Sequence, residues 1–239
     1  MTVDRRRWLA GAGATLLAPA IAPNAAQAAG ATRMYDYLFL DLEARLGTPP
    51  SKAYADQVRA RAGGIAAAGG EVLGLFTPQL GWHARQAALL VGWDAEASGR
   101  EAQMGALQTL PGVGKVERHR LAATARPAAT DRPRPGGIYV HRWFVIGAES
   151  QAEVVALSVE GWRDFEARFD TNIFGLFAAD RTTADKAAGV TRLLLITRYK
   201  DHGVWETSRD PSTDAMAAFM RRQKLTRDTW AASTLLTAP

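Results

Sequence analysis

The segment GGIYVHRWFVI at residues 136–146 decides the fold that the sequence predicts. It is an unbroken run of β-branched and aromatic residues after a segment rich in proline and glycine, which is typical of a β-strand. Successive side chains of a strand point to opposite faces of a sheet. Tyr139, His141 and Trp143 therefore share one face, and Arg142 is expected on the opposite face.

The same order of elements occurs twice along the chain. Residues 34–42, MYDYLFLDL, have the same character and lie about one domain length upstream. Each of these strands is followed by the patterns of a helix, two strands, a second helix and a final strand. The predicted elements are strands at 34–42, 71–77, 85–93 and 115–123 with helices at 52–68 and 97–110, then strands at 138–146, 173–178, 190–199 and 229–236 with helices at 150–169 and from 210–212 onward. The sequence thus predicts an α+β fold of two tandem ferredoxin-like units with the order β-α-β-β-α-β.

Short similarities align the two copies in order. The corresponding pairs are Tyr35 and Tyr139, the Gly-Leu-Phe triplets at 74–76 and 175–177, and the strand ends at Trp93-Asp94 and Tyr199-Lys200. Residues 126–136 contain three prolines without apolar periodicity, which indicates a semi-extended linker. We therefore expect ferredoxin-like domains at residues 31–125 and 137–239.

Residues 1–30 have the features of an export signal. Consecutive arginines at residues 5–7 precede a short apolar run at residues 10–21, and the tripeptide AQA at residues 26–28 provides a cleavage site. The arginine pattern resembles a twin-arginine signal, so we expect a periplasmic protein exported by that route. The apolar run is short and is interrupted by glycine and proline, which makes it a poor membrane span.

Composition excludes several classes of function. Hydrophobic residues make up 47% of the 239 residues, which is enough for a packed core. The sequence has no cysteine, and this excludes disulfides, thiolate nucleophiles and thiolate metal sites. The formal net charge is +5, but the arginines are spread along the chain and form no dense basic run interleaved with aromatic residues. We therefore predict no nucleic-acid partner.

The pattern Ile-Tyr-x-x-Arg-x-aromatic at residues 138–144 resembles the first strand of NIPSNAP-type domains, which belong to the dimeric α+β barrel superfamily. A Gly-Leu-Phe strand followed by a Leu-rich strand that ends in an aromatic residue resembles the same family. The resemblance covers nearly all of the chain after residue 30, twice, and the first copy departs from it at Leu38, where the second has Arg142. It implies two units packed sheet to sheet around a barrel-like cavity. Relatives include cofactor-free monooxygenases, haem-binding proteins and small-molecule isomerases or lyases.

His141 and Tyr139 are the predicted catalytic residues, since an imidazole that titrates near neutral pH among aromatic side chains suits acid–base chemistry. The alternative for His141 is a hydrogen-bonded core histidine. Trp143, Trp93 and Tyr35 are predicted to contribute to an aromatic ligand pocket, although such side chains also pack cores and rims.

Arg142 is predicted to anchor a ligand carboxylate or phosphate through a bidentate pair. The alternative is a structural salt bridge to a helix carboxylate such as Asp164 or Glu166. Because a regular strand alternates, Arg142 and His141 cannot both face the same cavity.

The other histidines of the predicted domains, His83, His119 and His202, lie in different predicted elements without metal-ligand spacing, so no metal site is expected. Haem needs one axial histidine, which His141, His119 or His202 could supply. Haem-binding relatives present that ligand from a helix, and these three residues lie on predicted strands or loops. We expect no cofactor, with haem as the open alternative.

Three functions stay open at this point. The first is an exported NIPSNAP-like module that binds a small ligand between two sheets. The second is a cofactor-free monooxygenase-like or isomerase-like enzyme that acts on a small aromatic or lipid-like substrate through His141. The third is an interaction domain with a solidly packed interior. A homo-oligomer is compatible with each of them.

Overall fold

Eight antiparallel strands close into one barrel in the part of the chain that the structure describes. The computed structural model describes residues 33–43 and 48–237, so the predicted export signal lies outside the described residues. The strands are β1 (Met34–Leu42), β2 (Gly70–Leu80), β3 (Gln86–Trp93), β4 (Val113–Arg126), β5 (Ile138–Gly147), β6 (Thr171–Ala179), β7 (Val190–Tyr199) and β8 (Thr226–Thr237). The helices are α1 (Pro50–Ala67), α2 (Arg100–Gln108), α3 (Gln151–Arg168), α4 (Thr183–Ala187), α5 (His202–Thr207) and α6 (Asp214–Lys224).

The two halves of the barrel, β1 to β4 and β5 to β8, have the same strand order. The full order is β1-β3-β2-β8-β5-β7-β6-β4, so each half is a sheet with its first strand beside its third and fourth. The register agrees as well, because Tyr35 pairs with Gly92 where the corresponding Tyr139 pairs with Arg198. The predicted α+β fold of two tandem ferredoxin-like units is confirmed.

The halves meet through their edge strands. β2 pairs with β8 and β4 pairs with β6, which leaves neither sheet with an open edge. A bulge interrupts the β2–β3 register between Val72 and Gly74, and another interrupts β6–β7 between Ile173 and Gly175. Each bulge ends at the glycine that begins a Gly-Leu-Phe triplet. The sheet-to-sheet contact predicted from the sequence is therefore made inside a closed barrel.

Alternation along the strands separates the barrel interior from two outer cores. On β5, Tyr139 and Trp143 belong to the interior cluster, whereas Val140 and Phe144 pack in the outer core of the second half. The buried interior cluster consists of Tyr35, Tyr37, Leu73, Phe76, Ala88, Leu90, Leu121, Tyr139, Trp143, Phe174, Phe177, Ala179, Leu194 and Ile196. Aromatic side chains from opposite strands thus fill much of the space between the two sheets.

The helices differ from the prediction mainly at their ends. α1 begins with Pro50 at its first turn, where proline needs no intrahelical N–H partner, two residues before the predicted start at residue 52. Ser150 precedes α3 without a side-chain cap because it ends a 3-10 turn, Ala148–Ser150. α6 begins at Asp214, where the Thr213 hydroxyl accepts from the Met216 amide, and not at residues 210–212.

Two short helices lie in segments for which the sequence predicted no helix. α4 follows β6 and is held by a capping box, in which Thr182 and Asp185 bond each other's backbone amides. α5 follows β7, and the Asp201 carboxylate caps it at the Val204 amide. None of the helices in the described residues is long and apolar enough to cross a bilayer.

The connection between β4 and β5 spans residues 127–137, one residue later than the predicted linker at 126–136, and its side chains and carbonyls bond the barrel. β4 continues through Arg126, which bonds the Glu166 carboxylate of α3. Arg132 forms an ion pair with Glu71 of β2. The Tyr139 hydroxyl donates to the carbonyl of Arg134 at 2.6 Å. These contacts hold the segment at the end of the barrel where β5 begins.

Candidate functional site

The first strands of the two halves lie opposite each other in the barrel, and Tyr37 of β1 contacts His141 of β5 across it. The Tyr37 hydroxyl lies 3.0 Å from His141 Nδ1, and both side chains are buried. The rings of Phe76 and Trp82 flank the imidazole at centroid distances of 4.5 and 5.3 Å. His141 Nε2 has no hydrogen-bond partner among the described residues. The imidazole therefore has one polar contact inside an aromatic shell.

Burial determines the charge of His141. Removal of an imidazolium ion from water is unfavourable, and burial lowers the pKa of His141 from 6.5 to about 3. The ring is therefore neutral near pH 7 and is a weak base. This is the geometry of a hydrogen-bonded core histidine, and the catalytic role assigned to His141 stays a prediction.

Tyr139, Tyr35 and Trp143 all lie inside the barrel, as alternation predicts. The Tyr139 hydroxyl donates to the linker carbonyl of Arg134 rather than to His141. Burial raises the pKa of Tyr139 well above its usual range, so the hydroxyl stays protonated. The two predicted catalytic side chains thus share a face but form no hydrogen bond with each other.

Trp93 does not lie with the other predicted ligand-binding residues. It pairs with Met34 on β1 and is fully buried in the outer core of the first half, beneath α1. Its ring covers Gly70, where a Cβ atom would come within 2.4 Å of the indole. Successive residues of β3 alternate between the two faces of the sheet, so Leu90 points into the barrel and Trp93 points out of it. Trp93 is therefore a packing residue in this structure.

Arg142 points out of the barrel, opposite to His141, as the alternation of β5 requires. Neither of the helix carboxylates suggested as its partner contacts it. Asp164 pairs with Arg168, and Glu166 pairs with Arg126. The predicted salt bridge of Arg142 is therefore wrong, because both carboxylates have nearer arginine partners.

A pocket of about 130 Å³ opens at the end of the barrel where β1 and β5 end, and we call it the mouth pocket. Its lining consists of Tyr37, Phe39, Trp82, Glu117, His119, Trp143, Arg192 and Trp230. Trp143 and Trp230 are directly opposite each other on β5 and β8, with rings 17° from parallel and centroids 6.2 Å apart. The His119 ring lies 4.7 Å from that of Trp143. Aromatic faces and one imidazole therefore converge on the same small space.

His119 lines the mouth pocket beside two charged residues, Glu117 and Arg192. Its Nε2 lies 3.2 Å from Glu117 Oε1. A neutral imidazole has one donor nitrogen and one acceptor nitrogen. Burial lowers the pKa of His119, and the negative charge of Glu117 opposes that effect. Near pH 7 the imidazole is a neutral acceptor.

Of the residues that line this pocket, the sequence analysis predicted Trp143 as a ligand-binding residue and did not single out Tyr37, Glu117 or Trp230. Tyr37 lies two residues after Tyr35, as His141 lies two residues after Tyr139. This matching spacing could have identified Tyr37 as an inward residue. His119 was considered only as a haem ligand, yet it pairs with Tyr37 in the β1–β4 register. Glu117 and Trp230 enter the pocket only because the barrel closes. Their shared location follows from strand order and not from spacing along the chain.

Haem does not fit the histidines that the sequence offers. His141 is enclosed by aromatic rings, His119 Nε2 lies 3.2 Å from Glu117 Oε1, and His202 Nε2 lies 3.0 Å from Ser233 Oγ. The mouth pocket measures about 130 Å³, whereas pockets for drug-sized ligands and cofactors measure roughly 300–1,000 Å³. The described residues also contain no cluster of three or more histidine, aspartate or glutamate side chains that could hold a metal ion.

Solved structures with the same architecture are similar to this chain over most of its length. An anthrone oxidase-like protein matches 87% of this chain and 92% of its own at 14% identity, with a TM-score of 0.55. A candidate monooxygenase from Lactobacillus acidophilus matches 86% of this chain and 94% of its own at 8% identity, with a TM-score of 0.55. A chlorite dismutase variant from Candidatus Nitrospira defluvii matches 87% and 92% at 8% identity, with a TM-score of 0.58.

The chain has the dimeric α+β barrel fold. Identities of 8–14% show the fold alone and transfer no activity to this chain. No protein-family model matches the sequence, and none of the curated proteins matches it. The chemistry must therefore be argued from the pockets of this chain.

Proposed function

We propose that this chain is an exported, NIPSNAP-like barrel protein that binds a small, flat, mostly apolar ligand in the mouth pocket. The observation that carries the proposal is the convergence of Tyr37, Trp143 and Trp230 with His119 on one cavity of about 130 Å³. An engineered apolar cavity of about 150 Å³ in another protein binds benzene, so this volume suits a single aromatic ring. The NIPSNAP and periplasmic parts of the proposal rest on the motifs at residues 138–144 and 1–30.

The polar wall of the pocket favours a ring that carries a hydroxyl or N–H group. His119 presents an acceptor nitrogen next to the face of Trp143. Trp230 lines the pocket and is 44% exposed, so a ligand that stacks on it would bury part of its ring. Phenol or indole has the size and the donor that this arrangement recognises.

Titration of the protein with phenol, followed by NMR and tryptophan fluorescence, tests this proposal. Trp230→Ala is expected to weaken phenol binding about tenfold, since aromatic contacts contribute roughly 0.5–1.5 kcal/mol beyond area burial. Leu235→Ala, an exposed position on the same strand, is the matched control and is expected to leave the affinity unchanged. Equal affinities for the parent protein and Trp230→Ala would contradict binding in the mouth pocket.

A second candidate is cofactor-independent oxygenation of an activated aromatic CH₂ group, and the His119–Glu117 pair favours it. A neutral imidazole with a carboxylate on its other nitrogen can remove a proton from such a carbon. O₂ can then convert the CH₂ group to C=O, with one oxygen atom in the product and the other in water, so no external reductant is needed. The anthrone oxidase-like protein of the same fold suggests anthrone as the first substrate to try, with the ring that carries the CH₂ group entering the pocket and the remaining rings outside it.

Oxygen consumption with anthrone is the measurement for this candidate. His119→Asn is expected to reduce the rate about 10²–10⁴-fold, the usual contribution of a general base. Because burial lowers the pKa of His119, the parent rate should stay high near neutral pH and fall only below pH 6.5. His83→Asn, outside the pocket, should retain the parental rate. Equal rates for the protein and a buffer blank would remove this candidate.

A further inference from the structure

A second pocket lies on the opposite side of β5, between the second-half sheet and its helices, and we call it the outer pocket. It measures about 190 Å³ and lies under α3, α5 and α6. Its walls are largely apolar, with Phe144, Trp162, Phe219 and Trp205 among them. It is separate from the mouth pocket because successive residues of β5 face opposite sides of the sheet.

Three arginines line this apolar space. Arg222 is 8% exposed, and its guanidinium lies 4.8 Å from the ring centre of Phe144 and 4.6 Å from that of Phe219. Arg142 is largely buried beside it, and Arg209 stacks on Trp205 at the exposed rim. The outer pocket therefore concentrates positive charge among aromatic side chains.

No carboxylate neutralises these arginines within the described part of the chain. Arg222 donates one hydrogen bond, to the Ser158 hydroxyl at 3.0 Å, and none of the three forms an ion pair with a described residue. Their mutual repulsion is visible in the pKa of Arg222, which burial and then the charge of Arg142 lower to about 10. Buried charge without a partner is unfavourable, and a bound anion would relieve it.

The first half is an internal control for this arrangement. There, Asp36 is fully buried on the outward face of β1 and bonds both Arg100 and Arg118, at 2.8 and 2.7 Å. By the correspondence of Tyr35 with Tyr139, the position of Asp36 is occupied in the second half by a valine, Val140. The first half thus neutralises its buried arginines with its own carboxylate, and the second half does not.

The next outward position also differs between β1 and β5, because it is apolar in the first half and positively charged in the second. Leu38 is fully buried in the apolar core of the first half, and its counterpart is Arg142. Replacement of a packed leucine by an unpaired arginine, next to the loss of a carboxylate, leaves both space and positive charge on one half only. A site that binds a carboxylate from outside the chain needs both the space and the unpaired positive charge.

We propose that the outer pocket binds a small aromatic carboxylate. Its anionic head pairs with the guanidinium groups of Arg142 and Arg222, because two parallel N–H···O bonds match a carboxylate. Its ring packs among Phe144, Phe219 and Trp205. The volume of about 190 Å³ is larger than the engineered cavity of about 150 Å³ that binds benzene in another protein, which leaves space for one substituted ring. This ligand and the ligand of the mouth pocket occupy opposite faces of β5.

The test compares benzoate with its neutral isostere benzamide by isothermal titration calorimetry and thermal unfolding at pH 7. Saturable benzoate binding that raises the unfolding midpoint, with benzamide at least tenfold weaker, is the expected result. Arg142→Gln is expected to weaken benzoate binding about ten- to hundredfold, the range for a hydrogen-bonded charge. Arg142→Leu, which copies the first half, should abolish binding while the protein stays folded.

Arg221→Gln is the matched control, because it removes the same charge from the neighbouring residue of α6, which is exposed and paired with Glu160. It should leave benzoate affinity unchanged. Equal binding of benzoate and benzamide, equal losses in Arg142→Gln and Arg221→Gln, or absence of saturable benzoate binding would overturn the proposal. Inorganic phosphate that binds as tightly as benzoate would overturn the aromatic part of it.

Discussion

Tyr37 and His141 occupy corresponding positions in the two halves and form a hydrogen bond with each other across the barrel, with 3.0 Å between the Tyr37 hydroxyl and His141 Nδ1. Each is the next inward residue after the matching tyrosines Tyr35 and Tyr139. The contact joins the two sheets, and the rings of Phe76 and Trp82 flank it. Because this contact is buried, it should affect both the free energy of unfolding and the pH dependence of that free energy.

Tyr37→Phe removes the hydroxyl and leaves both nitrogens of His141 without a described partner. We expect a loss of roughly 1–3 kcal/mol in the free energy of unfolding, the cost of an unsatisfied buried polar group. Urea denaturation measures it. Tyr35→Phe is the control, since no described residue bonds its hydroxyl, and it should cost less. Combination of Tyr37→Phe with His141→Leu should recover much of the loss, because both polar partners are then gone.

The stability of the protein should decrease as the pH falls below 6.5. The folded pKa of His141, about 3, lies below the unfolded value of 6.5, so the unfolded chain binds more protons in that interval. The full effect of one such group is about 1.4 kcal/mol per pH unit. His141→Asn should flatten the slope by up to that amount in urea denaturation between about pH 6.5 and pH 5. Parallel slopes for parent and variant would show that His141 titrates normally in the folded protein.

Asp36→Asn should be the most damaging single change in the first half. The carboxylate is fully buried between Arg100 and Arg118, and loss of its charge leaves buried guanidinium groups uncompensated. We expect a loss of about 3–5 kcal/mol in unfolding free energy, the range for one partner of a buried ion pair. Asp56→Asn, which disrupts only surface pairs, should leave the urea midpoint unchanged. A parental midpoint for Asp36→Asn would contradict this account.

Two glycines in helices should respond to alanine in opposite directions. Gly105 of α2 is exposed with no atom near an added Cβ, so Gly105→Ala should stabilise by about 0.5–1 kcal/mol through helix propensity. Gly161 of α3 is buried, and an added Cβ would lie 2.4 Å from the ring of Phe219 on α6. Gly161→Ala should therefore destabilise by about 1–3 kcal/mol. Thermal unfolding of both variants is sufficient, and equal signs would contradict the tight α3–α6 contact.

The alternation of β5 allowed the opposite orientations of His141 and Arg142 to be predicted from sequence, and the matching tyrosines allowed the repeat to be found. The contact between Tyr37 and His141 could not be predicted, because sequence periodicity gives faces and not distances across a barrel. Trp93 was misplaced for a different reason: β3 is apolar on both of its faces, so alternation does not show which face points into the barrel. Residues of the mouth pocket come from strands that become neighbours only when the barrel closes.

The salt bridge predicted for Arg142 failed for a different reason. Asp164 and Glu166 lie on the helix that covers Arg142, but each has a nearer arginine, on α3 itself and at the end of β4. The sequence shows that carboxylates and arginines are present, but it does not show which arginine lies nearest to a given carboxylate. Only the packed helix layer shows that Arg142 is left without a carboxylate among the described residues.

Fusion of the two halves into one polypeptide removes a constraint that applies to every symmetric homodimer. In such a dimer, a side chain on the twofold axis meets its own copy, so a tyrosine would face a tyrosine and a histidine a histidine. Here the equivalent positions hold Tyr37 and His141, a complementary donor and acceptor, and one step further along the strands they hold Leu38 and Arg142. Duplication within one chain thus allows a residue such as Arg142 to replace the counterpart of Leu38 in one half without the same change in the other.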